Sequence, residues 1–122
     1  MKKGFDVYAY DHRMELAKKR LAANRKVSAH NRLKTLEFLD YLETQDISLP
    51  RRIRYLQNIS KFAAMLNVSF RQATRGHIES VVLNHGRLDL ADETNTQLNI
   101  MTKRFYRWLR DPDDEGYPPE VK

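Results

Sequence analysis

The stretch 48–67, SLPRRIRYLQNISKFAAMLN, constrains the fold more than any other part of the chain. Its apolar residues recur at the period of one face of an α-helix, and Pro50 suits the first turn, where its missing N–H is not needed. Its polar residues fall on the other side, within an arc of about 80°. The stretch therefore predicts a helix with one buried and one cationic face. The apolar positions are Leu49, Ile53, Leu56, Ile59, Ala63 and Leu66, and the polar positions are Arg51, Arg54, Asn58 and Lys61.

Four other stretches also have a helical pattern, over 1–24, 28–43, 75–84 and from Asp92 or Thr94 to Arg110, and a loop is expected at 87–91. No stretch has the alternation of polar and apolar residues that is typical of a β-strand. Short links separate the helical stretches. The sequence therefore predicts an all-α fold, with four or five helices packed as a bundle.

Several helix ends carry capping signals. Ser28 is a good N-cap, and Thr94, with a glutamine three residues later, has the pattern of a capping box. Thr74 precedes the fourth helix, but His77 stands where a capping box has Glu or Gln. Asn67 is expected to end the central helix, because asparagine tolerates the left-handed conformation.

The first helix is expected to be the least firmly packed, since chain termini are often loose unless they dock. A short basic cluster lies near its end, and this cluster could follow phosphate groups or form a solvated face. Its apolar period runs through Phe5, Tyr8, His12, Leu16 and Leu21, and the cluster is Lys18, Lys19 and Arg20.

The composition fits one globular domain without covalent cross-links. The chain has 122 residues and no cysteine, which excludes a disulfide and a thiolate metal site. No apolar run approaches the roughly 18 residues of a membrane span, and no signal peptide opens the chain. We expect a cytoplasmic protein with no membrane partner.

The net charge of +6 is unevenly distributed. Residues 51–75 carry six basic and no acidic side chains, and residues 94–110 carry four basic and none acidic. Residues 35–50 have the opposite balance, with four acidic and no basic side chains. One such basic helix would fit a solvated face, but two without acidic partners favour a cationic surface that meets an anionic partner.

Catalytic chemistry has little support in the sequence. There is no glycine-rich phosphate loop, no cysteine nucleophile and no His-Glu-x-x-His motif. The histidines do not pair at the spacing of metal ligands, so we expect them on the surface. We therefore expect no metal, no cofactor and no small-molecule ligand. The four histidines are His12, His30, His77 and His85.

Basic helices can provide what DNA binding requires. Arginine and lysine neutralise phosphates, and polar side chains such as Asn and Thr can contact base edges. Tyr55 lies between the two faces of its helix, where it could contact a phosphate or pack at the rim of the core. The candidate DNA-binding residues are Arg51, Arg52, Arg54, Tyr55, Asn58 and Lys61 in the central helix and Thr96, Asn99, Lys103 and Arg107 in the last helix.

Two other functions fit the same pattern. A helix-turn-helix regulator is one, although the sequence lacks a compact helix–glycine turn–helix with a short recognition helix. A protein-interaction bundle, whose basic faces meet an acidic protein, is the other. Salt-dependent binding to duplex DNA would separate this last function from the first two.

Three tracts, in their order and spacing, resemble a known family. They are LPRRIRYL at 49–56, ATRGHIE at 73–79, and TNT at 94–96 leading to FYRWL at 105–109. Together they are similar to the N-terminal, SAM-like core-binding domain of tyrosine recombinases, the phage integrase family, in its archaeal form. FLDYL at 38–42 also fits, and the resemblance covers 28–122. His77 departs from the family pattern, which usually has an acidic residue there.

The resemblance implies an orthogonal SAM-like bundle that clamps double-stranded DNA. It divides the chain into an N-terminal basic segment at 1–27, a core-binding domain at 28–110, and an acidic linker at 111–122 that leads towards a separate catalytic domain. By this resemblance the chain is not an enzyme by itself, and none of its tyrosines is the nucleophile. The resemblance also implies a prokaryotic protein that lies with the nucleoid and oligomerises on DNA.

Overall fold

A computed structural model of the chain describes the backbone of residues 2–86 and 92–110 and the side chains of residues 9–86 and 94–110. The loop expected at 87–91 and the linker expected at 111–122 lie outside these ranges, as do the side chains of Phe5 and Tyr8. The described residues form five helices and no strand, which confirms the all-α prediction. The helices are α1 (Lys2–Ala23), α2 (Ala29–Thr44), α3 (Leu49–Met65), α4 (Arg75–Gly86) and α5 (Asp92–Arg110).

Two serines begin the central helices. Ser28 Oγ accepts a hydrogen bond from the N–H of Asn31, and Ser48 Oγ accepts one from the N–H of Arg51. Each hydroxyl thereby satisfies an N–H of the first turn that has no partner inside the helix. The prediction of Ser28 as an N-cap is confirmed.

Two predictions about helix ends are wrong. Helix α5 begins at Asp92, the earlier of the two predicted starts, so Thr94 lies inside the first turn and does not cap the helix. Helix α3 ends at Met65, and Leu66 follows it in an extended conformation, with φ −90° and ψ 127°. This conformation keeps Leu66 in the core. Asn67 does not adopt the left-handed conformation, because the one described non-glycine residue with positive φ is Asp46.

The link between α2 and α3 turns at Asp46. This residue has φ 59°, while the N–H of Ile47 donates to the carbonyl of Leu42 and the N–H of Asp46 donates to that of Glu43. These two bonds make a Schellman ending, in which the left-handed position usually holds glycine. Aspartate is one of the few other residues that adopt this conformation at modest cost.

Helix α3 is the centre of the bundle, because α1, α2 and α5 all pack against it. Its buried side meets an aromatic cluster that joins α2 and α5. Phe38 of α2 forms an edge-to-face pair with Tyr55 at 5.7 Å and another with Phe105 at 5.2 Å between ring centroids. Trp108 packs against Phe38 at 5.3 Å, so the rings form one continuous core.

Of the described residues predicted to face the core from α1, Leu21 does so, but His12 and Leu16 do not. Met14, Ala17 and Leu21 are buried in the same core as the apolar face of α3. His12 and Leu16 are exposed. The observed face follows a spacing of three and four residues, which is the spacing of one helical stripe. The N-terminal segment is thus a helix that packs into the bundle.

The loop between α3 and α4 is held by side chains from α2 and α5. Asn31, which is 2% exposed, donates to the carbonyl of Val68 at 3.2 Å and accepts from the N–H of Phe70 at 2.8 Å. Tyr106 Oη donates to the carbonyl of Phe70 at 3.1 Å. Arg110 Nη2 donates to the carbonyl of Ala73 at 3.0 Å. These bonds place Phe70 in the core and fix where α4 begins.

Helix α4 begins with a capping box in which histidine takes the place of glutamate. His77 Nδ1 accepts a hydrogen bond from the N–H of Thr74 at 3.0 Å, and Thr74 Oγ1 accepts one from the N–H of His77 at 3.4 Å. The two residues therefore satisfy each other's backbone donors, as Ser or Thr and Glu do in the usual form. His77 therefore still caps α4, although the expected sequence has an acidic residue at this position.

Candidate nucleic-acid interface

The outer face of α3 carries the predicted cations. Arg51, Arg54 and Lys61 are exposed, and Asn58 is half-buried. In the part of the chain that the structure describes, no ion pair joins these three cations to a carboxylate. From Arg51 to Lys61 the face extends about 15 Å along the helix. This face therefore presents positive charge that neighbouring described residues do not neutralise.

The N-terminal part of α5 lies beside this face. Arg54, Asn58 and Lys61 of α3 line a cleft of about 200 Å³ together with Thr94 and Gln97 of α5. The cleft is lined by polar and cationic side chains from two helices. It brings two amide groups, those of Asn58 and Gln97, next to two cations. Asn58 Nδ2 donates to the carbonyl of Arg54 at 2.9 Å, and this bond orients its amide.

Further along the contact between α3 and α5, one arginine from each helix lies near the ring of Tyr55. The guanidinium carbons of Arg51 and Arg104 each lie 5.9 Å from the centroid of the Tyr55 ring. This distance is within the range of a cation–π interaction, which contributes about 0.5–1 kcal/mol at exposed sites. Tyr55 thus holds one cation from each helix in place.

Tyr55, one of the predicted DNA-binding residues, is buried. Its side chain is 1% exposed and forms part of the hydrophobic core. Tyr55 packs edge-to-face on Phe38, and this contact draws its ring inward from the border between the two faces. Of the two interpretations made from the sequence, packing in the core is the one that the structure supports.

The two helices run antiparallel where they meet, because Tyr55 lies beside Arg104 while Lys61 lies beside Thr94 and Gln97. Their polar side chains form one continuous area, which we call the α3–α5 surface. It consists of Arg51, Arg54, Asn58, Lys61, Thr94, Gln97 and Arg104.

Arg52, another predicted contact, belongs to a different part of the molecule. Its Nε donates to the carbonyl of Ile47 at 3.1 Å, and its Nη1 lies 3.6 Å from Oε2 of Glu43. The side chain is therefore half-buried against the end of α2 and has an acidic partner. These contacts stabilise the link between α2 and α3. They do not place the guanidinium on an anion-binding surface.

The four predicted residues of α5 are spread around the helix. Thr96 and Lys103 are exposed and lie about 100° around the helix from Gln97 and Arg104. Asn99 lies on the side of α5 that meets α4, and its buried Oδ1 has no hydrogen-bond partner among the described residues. Arg107 is half-buried and has interactions of its own.

Sequence reasoning missed Gln97 and Arg104, and it interpreted Thr94 as a cap. A signal for both residues exists in the sequence. They are seven residues apart and flank the apolar stripe of Leu98, Met101 and Phe105, so they stand at its border with the polar face. Border positions are the ones that neighbour an adjacent helix, while Thr96 and Lys103 lie at the centre of the polar face.

The structure places one of the four histidines in the interior. Among the described residues, no group of three or more His, Asp or Glu side chains is arranged to hold a metal ion. His85 departs from the prediction of surface histidines, because it is buried between α4 and α5. Its Nδ1 lies 2.7 Å from Oδ1 of Asn95, which ties the two helices together.

The chemistry of the α3–α5 surface suits a polyanion. Guanidinium and ammonium groups bind phosphate oxygens, and amides can donate to or accept from base edges. Within the described ranges, no helix is both long and apolar enough to cross a membrane. Comparisons with protein-family models, curated proteins and solved structures find no match to this chain.

Proposed function

We propose that the chain is a DNA-binding domain that holds duplex DNA on its α3–α5 surface. The observation that supports this proposal is a single surface built from two helices, with cations that no described carboxylate neutralises. Arg51, Arg54, Lys61 and Arg104 supply the charge. In this proposal the cations bind phosphates, and the amides of Asn58 and Gln97, which line the same cleft, contact base edges.

The proposal extends, on the strength of the sequence resemblance, to the core-binding domain of a tyrosine recombinase. In this role the chain positions DNA for strand exchange, which a separate C-terminal domain carries out. The proposed fold is then an orthogonal SAM-like bundle, and the proposed setting is a prokaryotic cytoplasm, where the protein oligomerises on DNA with the nucleoid. The chain itself requires no cofactor and performs no chemistry.

The direct test is the salt dependence of binding to a fluorescent duplex. Each phosphate contact contributes about −0.9 to the slope of log K against log salt, so four cations predict a slope of about −3 to −4. Polyglutamate serves as a second polyanion. Tight binding to duplex DNA with this slope, and weak binding to polyglutamate, supports the proposal. Absence of duplex binding at low salt, or equal binding to polyglutamate, contradicts it.

The recombinase part of the proposal has its own test. Incubation with duplex DNA followed by denaturing electrophoresis is expected to give no covalent protein–DNA adduct, since the chain only positions the DNA. A covalent adduct that depends on one of its tyrosines would contradict the proposal that a separate domain carries out strand exchange.

A further inference from the structure

A second cleft lies between α1 and α3. It borders the outer face of α3 on the flank opposite the cleft between α3 and α5. It has a volume of about 420 Å³. Its floor is apolar, and its rim is polar and cationic. Pockets that bind small ligands usually have volumes of about 300–1,000 Å³, so this cleft can hold a sizeable chemical group. The residues of the floor are Ala17, Leu21 and Leu56, and those of the rim are Arg20, Asn24, Gln57, Ser60 and Lys61.

The rim has the donors that a phosphate group needs. Arg20 and Lys61 form no ion pair with a described carboxylate, so both cations are available. Ser60 Oγ is buried and has no hydrogen-bond partner among the described residues. A serine hydroxyl inside a helix usually bonds to a carbonyl of its own helix or to water, and Ser60 is one of the residues that line the cleft.

Lys61 connects the two clefts. It lines the cleft between α1 and α3 and also the smaller cleft between α3 and α5. A chain of phosphates that follows the α3–α5 surface can therefore continue past Lys61 to Arg20. Neighbouring packed helices are about 8–10 Å apart, so the combined surface across α5, α3 and α1 is about 20 Å wide.

We propose that the cleft between α1 and α3 is a phosphate-binding site, which extends the DNA-binding surface onto α1 through Arg20. This inference rests on the proposed function, because the phosphate is taken to be one of the DNA backbone. A free phosphate or a mononucleotide presents the same chemistry, and the experiment below separates these sources.

The chain offers a matched control for Arg20 on the same helix. Lys18 is two residues away, about 160° around α1, and it lies on the flank that does not line the cleft. R20E and K18E make the same change in charge at exposed positions of one helix. Circular dichroism and thermal unfolding of both variants verify that each is folded.

Duplex binding is measured for the full chain, for R20E and for K18E. R20E is expected to weaken binding about five- to tenfold and to reduce the magnitude of the salt slope by about 1, as the loss of one phosphate contact predicts. K18E is expected to change affinity by less than about twofold, because Lys18 lies off the surface. Equal losses in the two variants would overturn the assignment of Arg20 to a site.

The full chain is also titrated with inorganic phosphate and with a mononucleotide. Binding is monitored by the backbone amide NMR signals of Gln57, Ser60 and Lys61. If neither the full chain nor its variants bind duplex DNA but phosphate shifts these signals, the cleft binds a small phosphate compound. The phosphate site is then supported, and the proposed DNA-binding function is contradicted. If R20E and the unmodified chain bind duplex DNA equally tightly, and if phosphate shifts none of these signals, the phosphate site is contradicted. The proposed DNA-binding function is then still supported.

Discussion

Arg104 of α5 lies over the ring of Tyr55 of α3, with its guanidinium carbon 5.9 Å from the ring centroid. The contact fixes where the C-terminal half of α5 meets the N-terminal half of α3. It also makes a buried tyrosine the support of a half-buried cation. The ring is therefore expected to act on DNA binding through Arg104 and Arg51 and not by its own hydroxyl.

The first prediction concerns the Tyr55 hydroxyl. Y55F keeps the ring and its electron-rich face, so duplex affinity is expected to change by less than about twofold. Y55L removes the aromatic ring and is expected to lower the free energy of unfolding by about 1–3 kcal/mol. Fluorescence anisotropy and urea unfolding measure the two effects. A loss of several-fold in duplex affinity for Y55F would mean that the hydroxyl contacts DNA.

The second prediction concerns Asn31, which holds the loop before α4. N31A leaves the N–H of Phe70 and the carbonyl of Val68 without their partners, and each buried unsatisfied group costs about 1–3 kcal/mol. The free energy of unfolding is therefore expected to fall by about 2–4 kcal/mol. N58A is the control, because Asn58 bonds only within its own helix and should change stability by less than about 0.5 kcal/mol. Comparable losses in the two variants would contradict the role of Asn31.

The third prediction concerns the cap of α4. H77A removes the acceptor for the N–H of Thr74 and is expected to lower the free energy of unfolding by about 1 kcal/mol. H77E restores the usual capping box and is expected to retain the stability of the unmodified chain or exceed it. H12A, at an exposed histidine of α1, is the control. If H77E is as unstable as H77A, the histidine does not serve as a cap.

The sequence is informative where structure depends on neighbouring residues. Ser28 is recognisable as a cap because the hydroxyl and the N–H that it satisfies lie within one helical turn. The buried side of α3 follows from the helical period alone, with Ile53, Leu56 and Ile59 all in the core. The cationic face of α3 follows from the same period.

The sequence is less informative where structure depends on contacts between helices. Tyr55 stands between the faces of α3, and its contacts with Phe38 of α2 and Arg104 of α5, which belong to other helices, cover its ring. The local pattern places Gln97 and Arg104 at the border of the apolar stripe of α5, but it does not specify that this flank is the one that meets α3. Asp46 ends α2 in a conformation typical of glycine, and its side chain gives little sign of this.

The central claim is that duplex DNA binds the α3–α5 surface, and paired charge reversals test it most directly. R51E/R54E alters the outer face of α3, and the first of its two carboxylates would stand three residues after Ser48, in the position of a capping box. R71E/R75E makes the same change in net charge at two exposed positions, one before α4 and one at its first residue, where Arg75 forms an exposed ion pair with Glu79. These positions lie near Arg110, which is about 9 Å along α5 and about 120° around it from Arg104.

The measurement is the duplex dissociation constant of both double variants over a range of salt concentrations. R51E/R54E is expected to weaken binding at least about tenfold and to reduce the magnitude of the salt slope by about 2, because two phosphate contacts are lost. R71E/R75E is expected to weaken binding less than about threefold, as a change in net charge alone would. Equal weakening by the two variants, or no weakening by R51E/R54E, would contradict the account.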